Sequence, residues 1–474
     1  MSSTSKRILY PFVKRYALSF LHEDRVEKKQ ESLLKKKFRR ACNTKIGREM
    51  GVTPHSSIED LPMTTYGFYR KYFVNPHEGD FLYPLSDYVK VLTSGSMGKP
   101  QTFLLPMSAI WDNLKKSGLS FMFLSTHNGE KITFEIGDVV YRNIPGGSYL
   151  SGFLADIFEK RGSGWVKQVP DTTMSFNDKV EYFIRNYKDI DTAYMTVTTL
   201  LDEVYPRIGK PFYLKGFVTQ DRSASVLKEE IKDITGNYPK VGYASTEILF
   251  SGLPSIEYPG SFFFDWRVLY CEFLSEEKAI STDQTKVEEP PETVSLMDVE
   301  LGKRYQLIAT PLKNDMTRYV MSDILECVSK RDSILGTDLP VFNFFSRKDK
   351  LVALHNFTRI SEEELLYVFK EANIPFVDFT VRVEFEGAKE YMVMYLELSS
   401  DMKTEDVTRI LHQELVKFDK DYRDLTTFLK YIPLRVHLLP RGTFKRYLRL
   451  KEGIPRIERI GMREERFKEL LKTS

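Results

Sequence analysis

From about Tyr88 to about residue 345, short apolar segments rich in β-branched residues alternate with amphipathic helical stretches, and this alternation constrains the fold most. Tyr88 to Leu92 and Thr102 to Leu105 read as strands, separated by a turn rich in Gly and Ser. Helical spacing over 178–188 and 224–235 accompanies short apolar strands at 214–218 and 240–243. Helices set between short apolar strands predict an α/β body. The acidic, Pro-containing stretch 276–294 reads as a surface loop within it.

Beyond about Arg347 the pattern changes. Ser361 and Glu364 have the spacing of a capping box, opening a helix through Leu365, Leu366 and Phe369. Two alternating strands follow, one through Phe379, Val381, Val383 and Phe385, the other over 391–398, joined around Gly387. A second helix uses Val407, Ile410, Leu411, Leu415 and Phe418. A last strand carries Leu434, Val436 and Leu438 into the segment LPRGTFKR. Two helices and three strands suffice for a small α+β domain. The sequence therefore predicts a body over 1–345 and a cap over 346–474.

Composition narrows the class. With 474 residues, 42% hydrophobic and 28% charged, the chain is neither disordered nor collagen-like nor a coiled coil. Cys42, Cys271 and Cys327 lie far apart without a CxxC pair, which argues against a disulfide framework or a cysteine-rich zinc site and fits the cytoplasm. No apolar run reaches the length of a membrane span, and the first residues lack a signal-peptide core, so no integral membrane association is expected. The net charge of +3 conceals an asymmetry. Residues 1–50 hold 14 basic against 5 acidic residues, and 435–474 hold 12 against 5, leaving an acidic middle. Basic ends are compatible with nucleic acid or an anionic membrane. The simpler reading makes Lys35, Lys36, Lys37, Arg39 and Arg40 the solvated face of a helix, and no nucleic-acid partner is expected.

The sharpest local signal is Thr93-Ser94-Gly95-Ser96-Met97-Gly98-Lys99-Pro100-Gln101. Its glycines free the backbone to turn, its hydroxyls donate hydrogen bonds, and Lys99 adds charge, a combination suited to phosphate oxygens. It is not a Walker A loop, since the GxxxxGK[ST] spacing fails and a strand follows. Taken alone, it is equally an ordinary hairpin turn.

TSGSMGKPQ resembles the phosphate loop of the adenylate-forming superfamily of acyl-CoA ligases, adenylation domains and luciferases. Other resemblances follow in the family's order. Tyr243-Ala244-Ser245-Thr246-Glu247 resembles its Y-G-x-T-E segment, and Arg318 to Asp323 resembles the segment ending in a ribose-binding aspartate. Ser346-Arg347-Lys348-Asp349-Lys350 resembles the interdomain hinge, and Leu439 to Lys445 the loop that delivers a catalytic lysine. Within the superfamily the texture is similar to that of the acyl acid amido synthetases, the plant auxin-conjugating family. Thr64-Thr65-Tyr66 with Phe68-Tyr69, the strand Tyr270-Cys271-Glu272-Phe273, the passage from Gly302 to Tyr319, and Gly442-Thr443-Phe444 carry that likeness. The resemblance spans roughly residues 60–455. Met97, Gln101, Ala244, Ser322 and Ser346 depart from the superfamily pattern, although Ala244 is usual in the amido-synthetase branch.

The resemblance implies a large N-terminal adenylate-forming α/β body with a small mobile C-terminal α+β domain. It implies ATP and Mg²⁺ as cofactors, with Thr93, Ser94, Gly95, Ser96, Gly98, Lys99, Tyr243, Ala244, Ser245, Thr246, Asp323 and Arg347 at the nucleotide. Glu247 would hold the metal. Lys445 would be catalytic, with Lys451 as the alternative. The implied reaction activates a carboxylic acid as an acyl-adenylate and passes the acyl group to an amino acid. Coenzyme A as acceptor, or a nucleotide-binding protein with a decayed site, are the alternatives. These roles make physical sense: two anions meet when a carboxylate attacks a phosphate, so the site needs cations and aimed donors.

Overall fold

The structure, a computed structural model, describes residues 3–92, 101–144, 150–161, 164–197, 199–221, 223–282, 285–347, 352–354, 358–386, 389–429, 431–450, 456–462 and 464–474. The chain divides into two compact units, Met1–Phe344 and Phe345–Ser474.

The first unit holds two large sheets. Five short strands, in the spatial order Lys167–Val169, Val139–Arg142, Thr192–Tyr194, Gly216–Thr219 and Pro239–Val241, are parallel throughout. Parallel neighbours need crossover connections, and helices such as Phe176–Asn186 and Lys228–Thr235 lie within them. Ser175 caps the first of these helices by accepting from the Asp178 N–H, and Val180 and Phe183 bury its inner face. The chain leaves Val139–Arg142 for the neighbour on one side and returns to Thr192–Tyr194 on the other. Strand order therefore reverses between these two, where an open parallel sheet leaves a crevice at its carboxyl ends.

The second sheet has ten strands and is mostly antiparallel, centred on Leu269–Ser275, Arg304–Pro311 and Tyr319–Ser329. Phe262–Phe264, Leu249–Pro254 and Tyr243–Ser245 form one flank. The last parallel strand passes through Gly242 directly into Tyr243–Ser245, so one residue joins the two sheets. Gly252 makes this flank possible: a Cβ there would lie 2.3 Å from the Cβ of Tyr243.

The basic face expected on the second helix, Val26–Ala41, needs one correction. Lys35, Lys36, Arg39 and Arg40 are exposed, but Lys37 is buried and its Nζ donates to the carbonyls of Pro311 (2.7 Å) and Met316. Lys37 lies next to Phe38 and three residues beyond Leu34 on the buried side, so the helical repeat carries it inward.

The second unit has its own core, built around Phe369, Phe379, Val381, Met392, Met394, Leu411 and Leu415. Strands Phe376–Glu386 and Lys389–Leu398 are antiparallel, and Leu434–Leu439 joins the latter in parallel. The capping box of Ser361 and Glu364 forms in full. The expected two helices and three strands are an undercount. Helices Lys420–Leu429, Thr443–Arg449 and Glu464–Lys472 and the small hairpin Val352–Leu354/Thr358–Ile360 are added. These helices are 7 to 10 residues long, short enough that tertiary packing supplies most of their stability. Among the described residues, no helix is long and apolar enough to cross a membrane.

Candidate functional site

Strands Tyr88–Leu92 and Thr102–Pro106 pair from Tyr88↔Pro106 to Leu92↔Thr102. The turn between them, with Thr93, Ser94, Gly95, Ser96, Gly98 and Lys99, lies outside the described residues. Its foot is tied by Tyr66, whose hydroxyl donates to the Thr102 carbonyl at 3.2 Å and whose ring lies 5.1 Å from that of Phe103. Tyr66 begins the helix Tyr66–Val74, where Thr65 Oγ1 accepts from the Gly67 N–H as N-cap. One residue earlier, Thr64 pairs in parallel with Tyr319 and donates its N–H to the Arg318 carbonyl at 2.9 Å. Thr64-Thr65-Tyr66 thus links the foot of the loop to the strand that carries Asp323.

The Tyr243–Glu247 segment approaches the same strand. Tyr243 to Ser245 form an edge strand, and Thr246, Glu247 and Ile248 make the turn into Leu249–Pro254. Glu247 therefore sits in a hairpin turn, with Leu249 at φ 58° beyond it. The Tyr243 hydroxyl donates to Asp323 Oδ2 at 2.6 Å, with both residues buried, and its ring stacks on Phe262 at 5.0 Å. The Glu247 carbonyl accepts from Asn314 Nδ2 at 2.9 Å, which fixes the turn. Burial, followed by the nearby Glu247 carboxylate, pushes the Tyr319 phenol well above its ordinary value. Ala244, Ser245, Thr246 and Glu247 are all partly exposed, yet the Ser245 Oγ atom itself is buried and has no hydrogen-bond partner.

A buried hydroxyl without a partner is costly, by roughly 1–3 kcal/mol, so Ser245 fits a wall completed by a ligand acceptor. Among the described residues, no group of three or more His, Cys, Asp and Glu side chains could hold a metal by itself. A Mg²⁺ ion held by Glu247 together with phosphate oxygens suits such a donor set, because this ion takes one or two carboxylates alongside phosphates.

Two motif residues have a different role from the site chemistry. Arg318, at φ 44°, forms a two-pronged pair with Glu272: Nε to Oε2 at 3.1 Å and Nη2 to Oε1 at 2.8 Å. Its Nη1 donates to the carbonyls of Glu59 (3.1 Å) and Leu61 (2.7 Å). Burial raises the Glu272 carboxyl above its ordinary value, while the guanidinium opposes that rise. This buried pair ties the 59–61 stretch to Leu269–Ser275 and to the start of Tyr319–Ser329. Each motif was visible in the sequence, but their pairing was not.

A second polar feature lies at the crevice of the parallel sheet. Tyr141 and Asn143, two residues apart, lie at the carboxyl end of Val139–Arg142. Tyr141 is 0% and Asn143 5% exposed, yet the Tyr141 hydroxyl and both polar atoms of the Asn143 amide have no hydrogen-bond partner. The Tyr141 ring meets Phe183 edge-on at 4.9 Å. The following residues, 145–149, lie outside the described set.

In the second unit, Lys445 stands exposed on the helix Thr443–Arg449. The sequence resemblance implied a loop there. The correction has a cause: buried Glu397 accepts from the N–H groups of Gly442 (2.5 Å) and Phe444 (2.9 Å), while Phe444 and Tyr447 pack against Met462, Phe467 and Leu470. Lys451 lies outside the described residues. Arg347 ends the strand Val341–Arg347, and residues 348–351 are likewise outside them.

Residues 262–347 match the GH3 family central domain, and residues 362–455 match the GH3 family C-terminal domain. The indole-3-acetic acid-amido synthetase GH3.3 of Arabidopsis thaliana is 26% identical over 192 residues. That stretch is 38% of this chain but only 30% of the relative, under a third of its length. In overall fold, the chain is similar to an acyl acid amido synthetase solved with 2,4-DB. The TM-score is 0.72 at 16% identity, covering 100% of this chain and 97% of that one. It is also similar to a 2-hydroxyisobutyryl-CoA ligase in the postadenylation state, with a TM-score of 0.65 at 15% identity, covering 94% and 91%.

Proposed function

We propose that this chain, which carries the GH3 family's central and C-terminal domains on the fold of the adenylate-forming enzymes, is an ATP-dependent ligase joining a carboxylic acid to an amino acid. The observation that best supports this reading is the Tyr243–Asp323 hydrogen bond, which joins two motifs separated by 80 residues.

In the first step the carboxylate oxygen attacks the α-phosphorus of ATP, and pyrophosphate leaves. In the second, the amine attacks the acyl carbon of the mixed anhydride; AMP leaves and the amine loses a proton. Asp323, oriented by Tyr243, accepts from the ribose hydroxyls. Ser245 supplies its hydroxyl to the nucleotide, and the 93–100 turn supplies donors to the phosphates. A magnesium ion held by Glu247 would neutralise phosphate charge. Lys445 stabilises the charge that develops in the first step, with Lys451 as the alternative donor. The acid lies at the crevice of the parallel sheet, where Tyr141 and Asn143 favour an acid carrying a hydrogen-bonding group.

The likeness to a CoA ligase supports a second reading, in which coenzyme A is the acceptor. ATP–pyrophosphate exchange measured over a panel of carboxylic acids tests the first step. Exchange with at least one acid is expected, and ATP binding without exchange for any acid would point to a decayed site. Amide formation with amino acids, compared with thioester formation with coenzyme A, then decides the acceptor.

A further inference from the structure

The N-terminal helix, Ser3–Leu18, has one face docked and the other bare. Tyr10, Val13 and Ala17 point inward, against a cluster containing Phe123 and Phe134. The Tyr10 hydroxyl donates to the Phe134 carbonyl at 3.0 Å, and Ser120 Oγ donates to the Ala17 carbonyl at 2.6 Å. On the opposite side, Ile8, Phe12 and Tyr16, spaced four residues apart, are 66%, 70% and 51% exposed, with Leu9 beside them at 41%. Among the described residues these four belong to a group of fifteen exposed large hydrophobics, most of the others scattered singly, so this helix holds an unusual concentration. On the same helix Arg7 and Arg15 are exposed, Lys14 is half-buried and Lys6 donates to the Gly164 carbonyl, and no Asp or Glu occurs before Glu23.

We infer that this helix docks the protein on an anionic lipid surface, with Ile8, Phe12 and Tyr16 inserted at the headgroup level and the exposed Arg7 and Arg15 reaching lipid phosphates and carboxylates. Three features favour this occupant. A second copy of the chain would set like charges against one another. Nucleic acid would leave an apolar stripe of four side chains unused. A partner that wraps a helix cannot reach the docked face of Tyr10, Val13 and Ala17, whereas a flat surface needs only the bare side. The inference is independent of the ligase reading, since none of these residues belongs to the proposed site.

Sedimentation with vesicles tests it, using phosphatidylcholine alone and phosphatidylcholine with about 30% phosphatidylserine. The full chain is expected to bind the anionic vesicles at least about tenfold better, and high salt to weaken that binding. Phe12→Glu is expected to lower binding by about tenfold or more, and Arg15→Gln by a few-fold. Both positions are exposed, so the melting temperature should hold; Tyr16→Gln provides a milder variant if Phe12→Glu does not fold. Equal binding to both vesicle types, or to neither, would overturn the inference. So would a concentration-dependent dimer, seen by sedimentation velocity, that Phe12→Glu abolishes.

Discussion

Tyr243 and Asp323 meet through one hydroxyl at 2.6 Å, a contact whose loss can be isolated. Tyr243→Phe keeps the ring on Phe262 and removes only the donor. It is expected to cost about 1–2 kcal/mol of stability and to raise the KM for ATP in pyrophosphate exchange. A change confined to the acid's KM would count against a nucleotide role for Asp323. Lys37 makes a different prediction. Burial lowers its ammonium to about 7, against an ordinary value of 10.5. Between those two values the unfolded chain binds more protons than the folded one, so this residue's contribution to stability rises with pH. The expected gain is about 1–2 kcal/mol between about pH 7 and 8.5. Lys37→Met should flatten that slope in denaturant titrations at each pH.

At the scale of elements, the central sheet is held by an ion pair that neither strand can release cheaply. Arg318→Met leaves the Glu272 carboxylate buried without its partner and is expected to destabilise the first unit by about 3–5 kcal/mol. Arg318→Met combined with Glu272→Leu should recover most of this loss. A double variant as unstable as the single would show that Arg318's bonds to the Glu59 and Leu61 carbonyls dominate instead. Elements with strong local signals were legible in the sequence. The box of Ser361 and Glu364 and the alternation through Phe379, Val381 and Val383 each specify their own structure. The helices Lys420–Leu429 and Thr443–Arg449 were not, because partners distant in sequence, such as Glu397 for the latter, hold them. The same division runs through the site. Tyr243, Ser245 and Asp323 are readable as motif positions, but the missing hydrogen-bond partners of Ser245, Tyr141 and Asn143 are seen only in three dimensions.

Over the whole molecule, two separate cores make separate stability predictions. The second unit buries its own set of residues, from Val352 to Ile460. A fragment of residues 345–474 is therefore expected to fold alone and to melt cooperatively by circular dichroism; a broad, non-cooperative melt would contradict this. Lys445→Ala in the full chain should leave that melt unchanged, since the side chain is exposed, while lowering exchange. If Lys451→Ala lowers it instead, the lysine assignment moves. The passage from Pro239–Val241 through Gly242 into Tyr243–Ser245 has an evolutionary consequence. On the proposed reading, one short ribbon is a shared wall between the acid compartment and the nucleotide compartment, so mutations there cannot retune one without disturbing the other. Divergence toward new acids is thereby channelled to positions such as Tyr141 and Asn143, on another strand of the parallel sheet and its end.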